Sequence, residues 1–252
     1  MIQGLYAAAT GLRALEQRQE ISATNIANAS TVGFRRQAPV QMGFYQLISQ
    51  HPRSGAYFSS HAGPGGGAVL QGSTTIAESG NIVSTGDPFN VALVGPGFLV
   101  VNPPEGERYT RAGAFTMDIE GHLTTAEGFK VLGAAGDPID VRGGSMEIDG
   151  QGRITIDGVP TGQLQLVEFE DPARLVPAGR NLLRVPEGQD LPTTAATTTT
   201  AQQKYLESSN VNVPQEMVEM MLGLRAYEAN HRALLASDET LSRLIDQVAQ
   251  PG

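Results

Sequence analysis

From Gln215 to Gln250 the chain reads QEMVEMMLGLRAYEANHRALLASDETLSRLIDQVAQ, and Met217, Met220, Leu224, Tyr227, His231, Leu234, Asp238, Leu241, Ile245 and Val248 recur in alternating steps of three and four. That period is the signature of one apolar face of an α-helix, interrupted here only by His231 and Asp238. Its start is marked too. Asn212 is a capping residue type, Gln215 stands three positions later, and Pro214 suits a first turn. A bare stripe of this length stabilises nothing until something covers it.

The opposite end carries a second stripe. Leu5, Ala8, Leu12, Leu15, Ile26 and Ala29 follow the same spacing, with Gln19 and Ser22 as polar interruptions. A helix of about 28 residues, roughly 42 Å long, is predicted there. It is expected to end near Ala29, where Asn28 and Ser30 stop helices and Gly33 is free to take a positive φ.

Between the ends the punctuation changes. The chain holds 30 Gly and 15 Pro, and from Gly55 to Gly188 they recur every few residues among short apolar runs. This predicts short strands joined by tight turns. Phe89, Val91 and Leu93 alternate, as do Phe115, Met117 and Ile119, then Leu164 and Leu166 with Phe169 closing that strand. Asp118-Ile119-Glu120-Gly121-His122-Leu123 and Asp149-Gly150-Gln151-Gly152-Arg153-Ile154 share the pattern D-x-x-G-x-apolar, which reads as two similar turns. The fold class predicted is α+β: long N- and C-terminal helices forming a coiled-coil-like arm, with a central, mainly antiparallel β domain. The organisation reads as residues 1–36, N-terminal helix and bend; 37–80, extended Gly-rich connector; 81–190, β domain; 191–211, Thr-rich connector; 212–252, C-terminal helix.

Composition excludes several classes of chemistry. No Cys occurs, so neither a disulfide framework nor a thiolate nucleophile or ligand is available. The four His, at 51, 61, 122 and 231, show no i, i+4 pair and no H-E-x-x-H. A net charge of −9 opposes binding to a phosphate backbone. No apolar run approaches the roughly 20 residues that span a bilayer, and Met1 to Gly11 lacks the layout of a cleaved signal peptide. Gly63-Pro64-Gly65-Gly66-Gly67 is followed by no Lys-Ser or Lys-Thr, so it reads as a loop and not a phosphate cradle. The carboxylate pairs Asp118/Glu120 and Glu168/Glu170 read as solvated strand faces, and His231 as a partly buried histidine. No catalytic residue, cofactor, metal, nucleic acid or small-molecule substrate is therefore expected.

The ends also differ in charge. Met1 to Arg36 carries net +2, whereas Glu207 to Gly252 carries net −4, so the two attract within or between chains. A single pair still exposes much of each helix, and bundling with neighbouring copies completes the burial. Two readings fit: a subunit of an open helical assembly, or a secreted β-rich binding or adhesive module whose helices close into a coiled-coil oligomer.

Ala27-Asn28-Ala29-Ser30-Thr31-Val32-Gly33-Phe34-Arg35-Arg36 resembles the A-N-x-x-T-x-G-F-[KR]-[KR] signature of bacterial flagellar rod and hook proteins. Gly95–Val101, Tyr109–Phe115 and Gly121–Gly128 resemble that family's G-x-G-F-F-x-V, Y-T-R-x-G-x-F and G-x-L-V-T-x-x-G blocks, in the same order. Leu206–Asn212, Glu216–Val218 and Arg225–Asn230 are similar to its L-E-x-S-N-V, E-M and R-x-Y-E-x-N blocks. Pro96 and Leu99 depart from the pattern. Length and the compact β centre look more like a rod protein than a hook subunit.

The resemblance implies a non-enzymatic structural subunit of the basal-body rod, spanning the periplasm and transmitting torque. It implies export without signal cleavage through the flagellar export apparatus, and polymerisation with copies of itself and sibling axial proteins into a helical tube. The assembly interface expected is Leu5, Leu12, Leu15, Ile26, Met217, Met220, Leu224, Tyr227, Leu234, Leu241 and Ile245. The bend from helix to β domain is expected at Asn28, Gly33 and Phe34.

Overall fold

The structure is a computed structural model and describes residues 2–43, 68–186, 188–189 and 191–249. The Gly63–Gly67 loop, His51 and His61 lie outside the described residues, as do the side chains of Leu5, Leu241 and Ile245. Backbone contacts divide the chain into two compact units, one of residues 1–26, 37–73 and 213–252, the other of residues 27–36 and 74–212. The molecule is α+β, and the strand pairs of the second unit are antiparallel.

The first unit is built on two helices, α1 (Ile2–Ala27) and α2 (Val213–Ala249). The first stops two residues short of Ala29, because Asn28 to Ser30 already form a turn in which the Thr31 amide donates to the Asn28 carbonyl at 3.1 Å. The second begins directly after Asn212 with Pro214 in its first turn, where a missing N–H is harmless. Strand Gln37–Gly43 pairs with strand Ala68–Thr75, so the described flanks of the expected connector 37–80 are themselves paired strands.

In the second unit, strand Phe98–Asn102 is central. It pairs with Arg108–Thr110, Lys130–Val131 and Leu166–Phe169. Successive side chains of a strand point to opposite faces, and both faces are covered here. Leu99 and Val101 join Val91, Leu93, Leu123, Val131, Ile154 and Leu164 in one core, while Phe98 and Val100 join Leu132, Val167, Phe169 and Leu175 in another. Double burial accounts for the unbroken apolar run Phe98–Val101 where alternation is the usual pattern. Rings of Phe98 and Tyr109 both meet Phe169 edge-on, at 5.7 and 4.8 Å between centroids.

Three expectations are corrected. Strand Phe115–Met117 does not continue to Ile119: Asp118 turns the chain, and Ile119 stands fully exposed at the tip. Alternation at Phe89, Val91 and Leu93 gives way to a strand beginning at Val91 with Ala92 buried as well. The Thr-rich segment expected to be a connector supplies strands Thr193–Ala195, on Leu166–Phe169, and Thr200–Gln203, on Val91–Val94. Threonine's β-branched side chain favours that geometry, a preference that the missing large apolar groups obscured. In the 191–211 stretch, Tyr205–Glu207 also pairs with Ile82–Ser84.

The two D-x-x-G-x-apolar turns have one construction. Asp118 Oδ1 accepts from the Glu120 and His122 amides at 2.9 and 2.8 Å, and Asp149 Oδ1 accepts from the Gln151 and Arg153 amides, both at 2.9 Å. Gly121 and Gly152 take φ of +84° and +75°, and the apolar residue two positions on, Leu123 or Ile154, is fully buried.

Candidate assembly site

The two helices of the first unit run antiparallel. Asn25 Nδ2 donates to Glu216 Oε2 at 3.2 Å, a Cβ on Gly223 would meet Gln19 Cγ at 3.7 Å, and the Tyr227 hydroxyl donates to Glu16 at 3.4 Å. Asn25 is fully buried and works in two directions: its Nδ2 donates to the Gln37 carbonyl at 2.8 Å and its Oδ1 accepts from the Gln37 amide at 2.9 Å. A side-chain amide thereby completes the backbone bonding of the first strand residue. Leu12, Leu15 and Ile26 are half-buried, while the buried positions among the described side chains of α1 are the small or polar Ala14, Ser22 and Asn25.

Among the described side chains of α2, Glu216 and Gly223 are buried and Val213, Glu219, Met220, Tyr227, Asn230 and Leu234 half-buried. At about 100° per residue they share one face. Met217, Met221, Leu224 and Leu235 lie on the adjoining face, and each is 50–54% exposed. His231 is exposed on the same side and stacks on Tyr227 with ring centroids 6.4 Å apart. Val218 and Leu222 are also at least half exposed. The three-four seam of the sequence therefore straddles two faces: Met220, Tyr227 and Leu234 fall on the one that meets α1, Met217 and Leu224 on the one left open. Met221 and Leu235 were missed because one stripe was sought where the helix carries two.

The residues leading to and from the helices gather in the second unit around a buried ionic group. Glu207 and Arg111 are fully buried and Arg35 nearly so. Arg35 Nη2 lies 3.0 Å from Glu207 Oε1, and Arg111 Nη1 donates to Glu207 Oε2 at 3.1 Å. Glu207 Oε1 also accepts from the Gly80 amide at 2.9 Å, and its backbone carbonyl accepts from the Gly33 amide at 2.7 Å. The guanidiniums spend further protons on backbone carbonyls, Arg35 on Ala77 and Glu78, Arg111 on Leu93 and Gly95, and Arg111 lies 5.2 Å over the Phe98 ring. Asn210 extends the group, its Oδ1 accepting from the Arg36 amide at 2.6 Å and its Nδ2 donating to the Glu78 carbonyl at 2.8 Å.

Burial dominates the electrostatics of this group. Desolvation lowers the Arg35 pKa against the attraction of Glu207. Desolvation, and then the like charge of Arg35, lowers Arg111 to about 10. Two cations held this close need the carboxylate between them, because a buried charge without a partner is strongly destabilising.

The residues expected at the bend lie beside this group. Gly33 has φ of +66°, and a Cβ there would stand 2.4 Å from the Arg111 carbonyl carbon. Phe34 is buried, and its carbonyl accepts from the Asn210 amide at 3.4 Å. Asn28 Oδ1 accepts from the Thr31 hydroxyl at 3.2 Å. Sequence reasoning missed Arg35, Arg111, Glu207 and Asn210, although each stands inside a quoted motif block. The signal was a charged or amide residue at a fixed place in an otherwise small or apolar block.

Elsewhere the carboxylate pairs have separate duties. Glu168 accepts from the Thr198 amide and from the Thr198 and Thr199 hydroxyls at 2.8–3.1 Å, and Thr199 Oγ1 in turn accepts from the Gly97 amide at 2.8 Å. Burial raises the Glu168 pKa, but these hydrogen bonds outweigh it and hold the group below the usual carboxylate range. Asp118, Glu120 and His122 offer ligand atoms within 4.8 Å of one another, but Glu120 is already paired with Lys130 Nζ at 2.7 Å.

Comparison with known proteins places these features in context. Three family models match: "Flagella basal body rod protein" over residues 5–35, "Flagellar hook protein FlgE/F/G D1 domain" over 92–158, and "Flagellar basal body rod FlgEFG protein C-terminal" over 202–247. The flagellar basal-body rod protein FlgG of Buchnera aphidicola subsp. Schizaphis graminum is 34% identical over 97% of this chain and 99% of its own length. The FlgG of Bacillus subtilis is 30% identical over 98% of this chain and 99% of its own. The rod protein FlgF of Mesorhizobium japonicum is 32% identical over 97% and 98%.

Proposed function

The chain belongs to the flagellar basal-body rod protein family, and on that premise we propose that it joins the rod by burying the open face of α2 against neighbouring copies and sibling axial proteins. The single observation that carries this reading is the exposure of Met217, Met221, Leu224 and Leu235 along one side of a helix whose adjoining side already meets α1. Completing the burial of each half-exposed side chain stabilises the assembly by about 1 kcal/mol. Repeated along a helix and around a tube, such increments offset the loss of rotational and translational freedom. Contacts between different patches whose rotation does not close propagate as a helical tube.

Within that assembly, Leu12, Leu15, Ile26, Met220, Tyr227 and Leu234 pack α1 on α2 in the manner of a coiled coil and Met217 and Leu224 face neighbours, with Leu5, Leu241 and Ile245 belonging to the same assembly interface. Asn28, Gly33 and Phe34 set the bend. The rod subunit is structural and non-catalytic, and it works by transmitting force. It is exported unfolded through the flagellar export apparatus without signal cleavage, which a chain with no cysteine permits because no disulfide obstructs transit. The resulting tube spans the periplasm.

The test is substitution on the open face. Leu224→Asp places a charge where burial is required, so cells carrying it lack completed rods and do not swim, while the purified chain melts as the parent does. Intact rods and normal swimming with Leu224→Asp overturn the proposal.

A further inference from the structure

Glu207 touches three stretches that are far apart in sequence: residues 33–35 after the first helix, Gly80 before strand Ile82–Ser84, and Arg111 within the β domain. Among the described residues it is the only carboxylate in ion-pair contact with Arg35 or Arg111. Arg35 Nε and Arg111 Nε are buried without a hydrogen-bond acceptor, so each guanidinium is only partly satisfied by the surrounding carbonyls. The neighbouring bonds close the same ring. The Ser208 amide donates to the Asn81 carbonyl at 2.8 Å, and the Ile76 amide to the Arg36 carbonyl at 2.8 Å.

We propose that Glu207 is a charge latch that couples the chain-end segments, so that residues 28–36, 76–81 and 205–210 dock on the β domain together and open together. The reasoning is electrostatic. While the carboxylate is in place, two buried cations share one counter-charge; once any of the three segments lifts, that counter-charge is lost to the others. The segments then behave as one cooperative unit of local unfolding, distinct from the core strands. This inference rests on the buried ionic group alone and stands whether or not the open face of α2 is the assembly surface.

Amide hydrogen exchange on the purified full chain tests it. Glu207→Gln keeps the size of the side chain and an oxygen for the Gly80 amide, and removes the charge. In the variant, exchange at Gly33, Gly80 and Ser208 accelerates by a common factor, on the order of tenfold or more, while the Leu123 and Leu132 amides of the core keep their rates. Acceleration confined to one segment, or the same acceleration in the core, overturns the latch. Should the variant fail to fold, the parent chain decides: one shared opening free energy for Gly33, Gly80 and Ser208 is expected, and three separate ones refute the coupling.

Discussion

Replacing Gly33 by alanine forces a methyl group into backbone. The residue sits at φ +66°, where a side chain with a Cβ is strained by about 1–2 kcal/mol. The new Cβ would lie 2.4–2.5 Å from the backbone of Arg111 and Ala112, and neither is the movable end of a side chain. Shifting Gly33 away stretches its 2.7 Å bond to the Glu207 carbonyl, a buried pair whose loss adds about 1–2 kcal/mol. The total expected is about 2–4 kcal/mol, a large share of a typical domain stability of about 5–15 kcal/mol. Urea denaturation followed by far-UV circular dichroism suits a chain without tryptophan. With a slope of about 2 kcal/mol per molar, the midpoint falls by about 1–2 M. Gly86 provides the control, because its φ of +76° is similar but a Cβ there meets nothing within 4 Å. Gly86→Ala is expected to lower the midpoint by only about 0.5–1 M. Equal effects of the two substitutions would refute the packing argument for Gly33.

Other substitutions probe the β domain. Thr199→Val leaves the buried Gly97 amide without its 2.8 Å acceptor and removes a hydroxyl from Glu168, so a loss of about 2–3 kcal/mol is expected by urea titration; a change under about 0.5 kcal/mol would contradict it. Glu168→Gln tests pH dependence. Because the folded-state pKa of Glu168 is depressed, its contribution is present above the unfolded carboxylate value of about 4.3 and is lost as pH falls through the folded one. The stability gap between parent and Glu168→Gln therefore narrows from pH 6 toward pH 3, and a gap independent of pH speaks against the hydrogen-bond account.

The helices, the β centre and the paired Asp turns were legible because each depends on local chemistry: period, turn glycines, and an Asp bonding its own backbone. The strands of the Thr-rich segment were not, because Thr193–Ala195 and Thr200–Gln203 are held by partners some 26 and more than 100 positions away, at Leu166–Phe169 and Val91–Val94. Ile119 misled for the opposite reason: alternation suggested a strand, but the capping bonds of Asp118 ended it. In the assembly region, apolar spacing located both helices yet blurred the two faces of α2, since a seam of alternating threes and fours fits the boundary between them. The Arg35–Glu207–Arg111 group was hidden because ionic pairing across 172 and 96 positions has no period to detect; only its placement within motif blocks hinted at it.

The absence of native cysteine makes the central claim directly measurable. A single Leu224→Cys thiol is small and apolar enough to sit in a packed interface, and it is the only sulfhydryl in the chain. Its rate of maleimide labelling can be compared between the purified chain and isolated basal bodies. In the purified chain the half-exposed position reacts freely. The account predicts strong protection in the basal bodies. Labelling at the same rate in both would show that the open face of α2 remains in water within the rod, and would contradict the account.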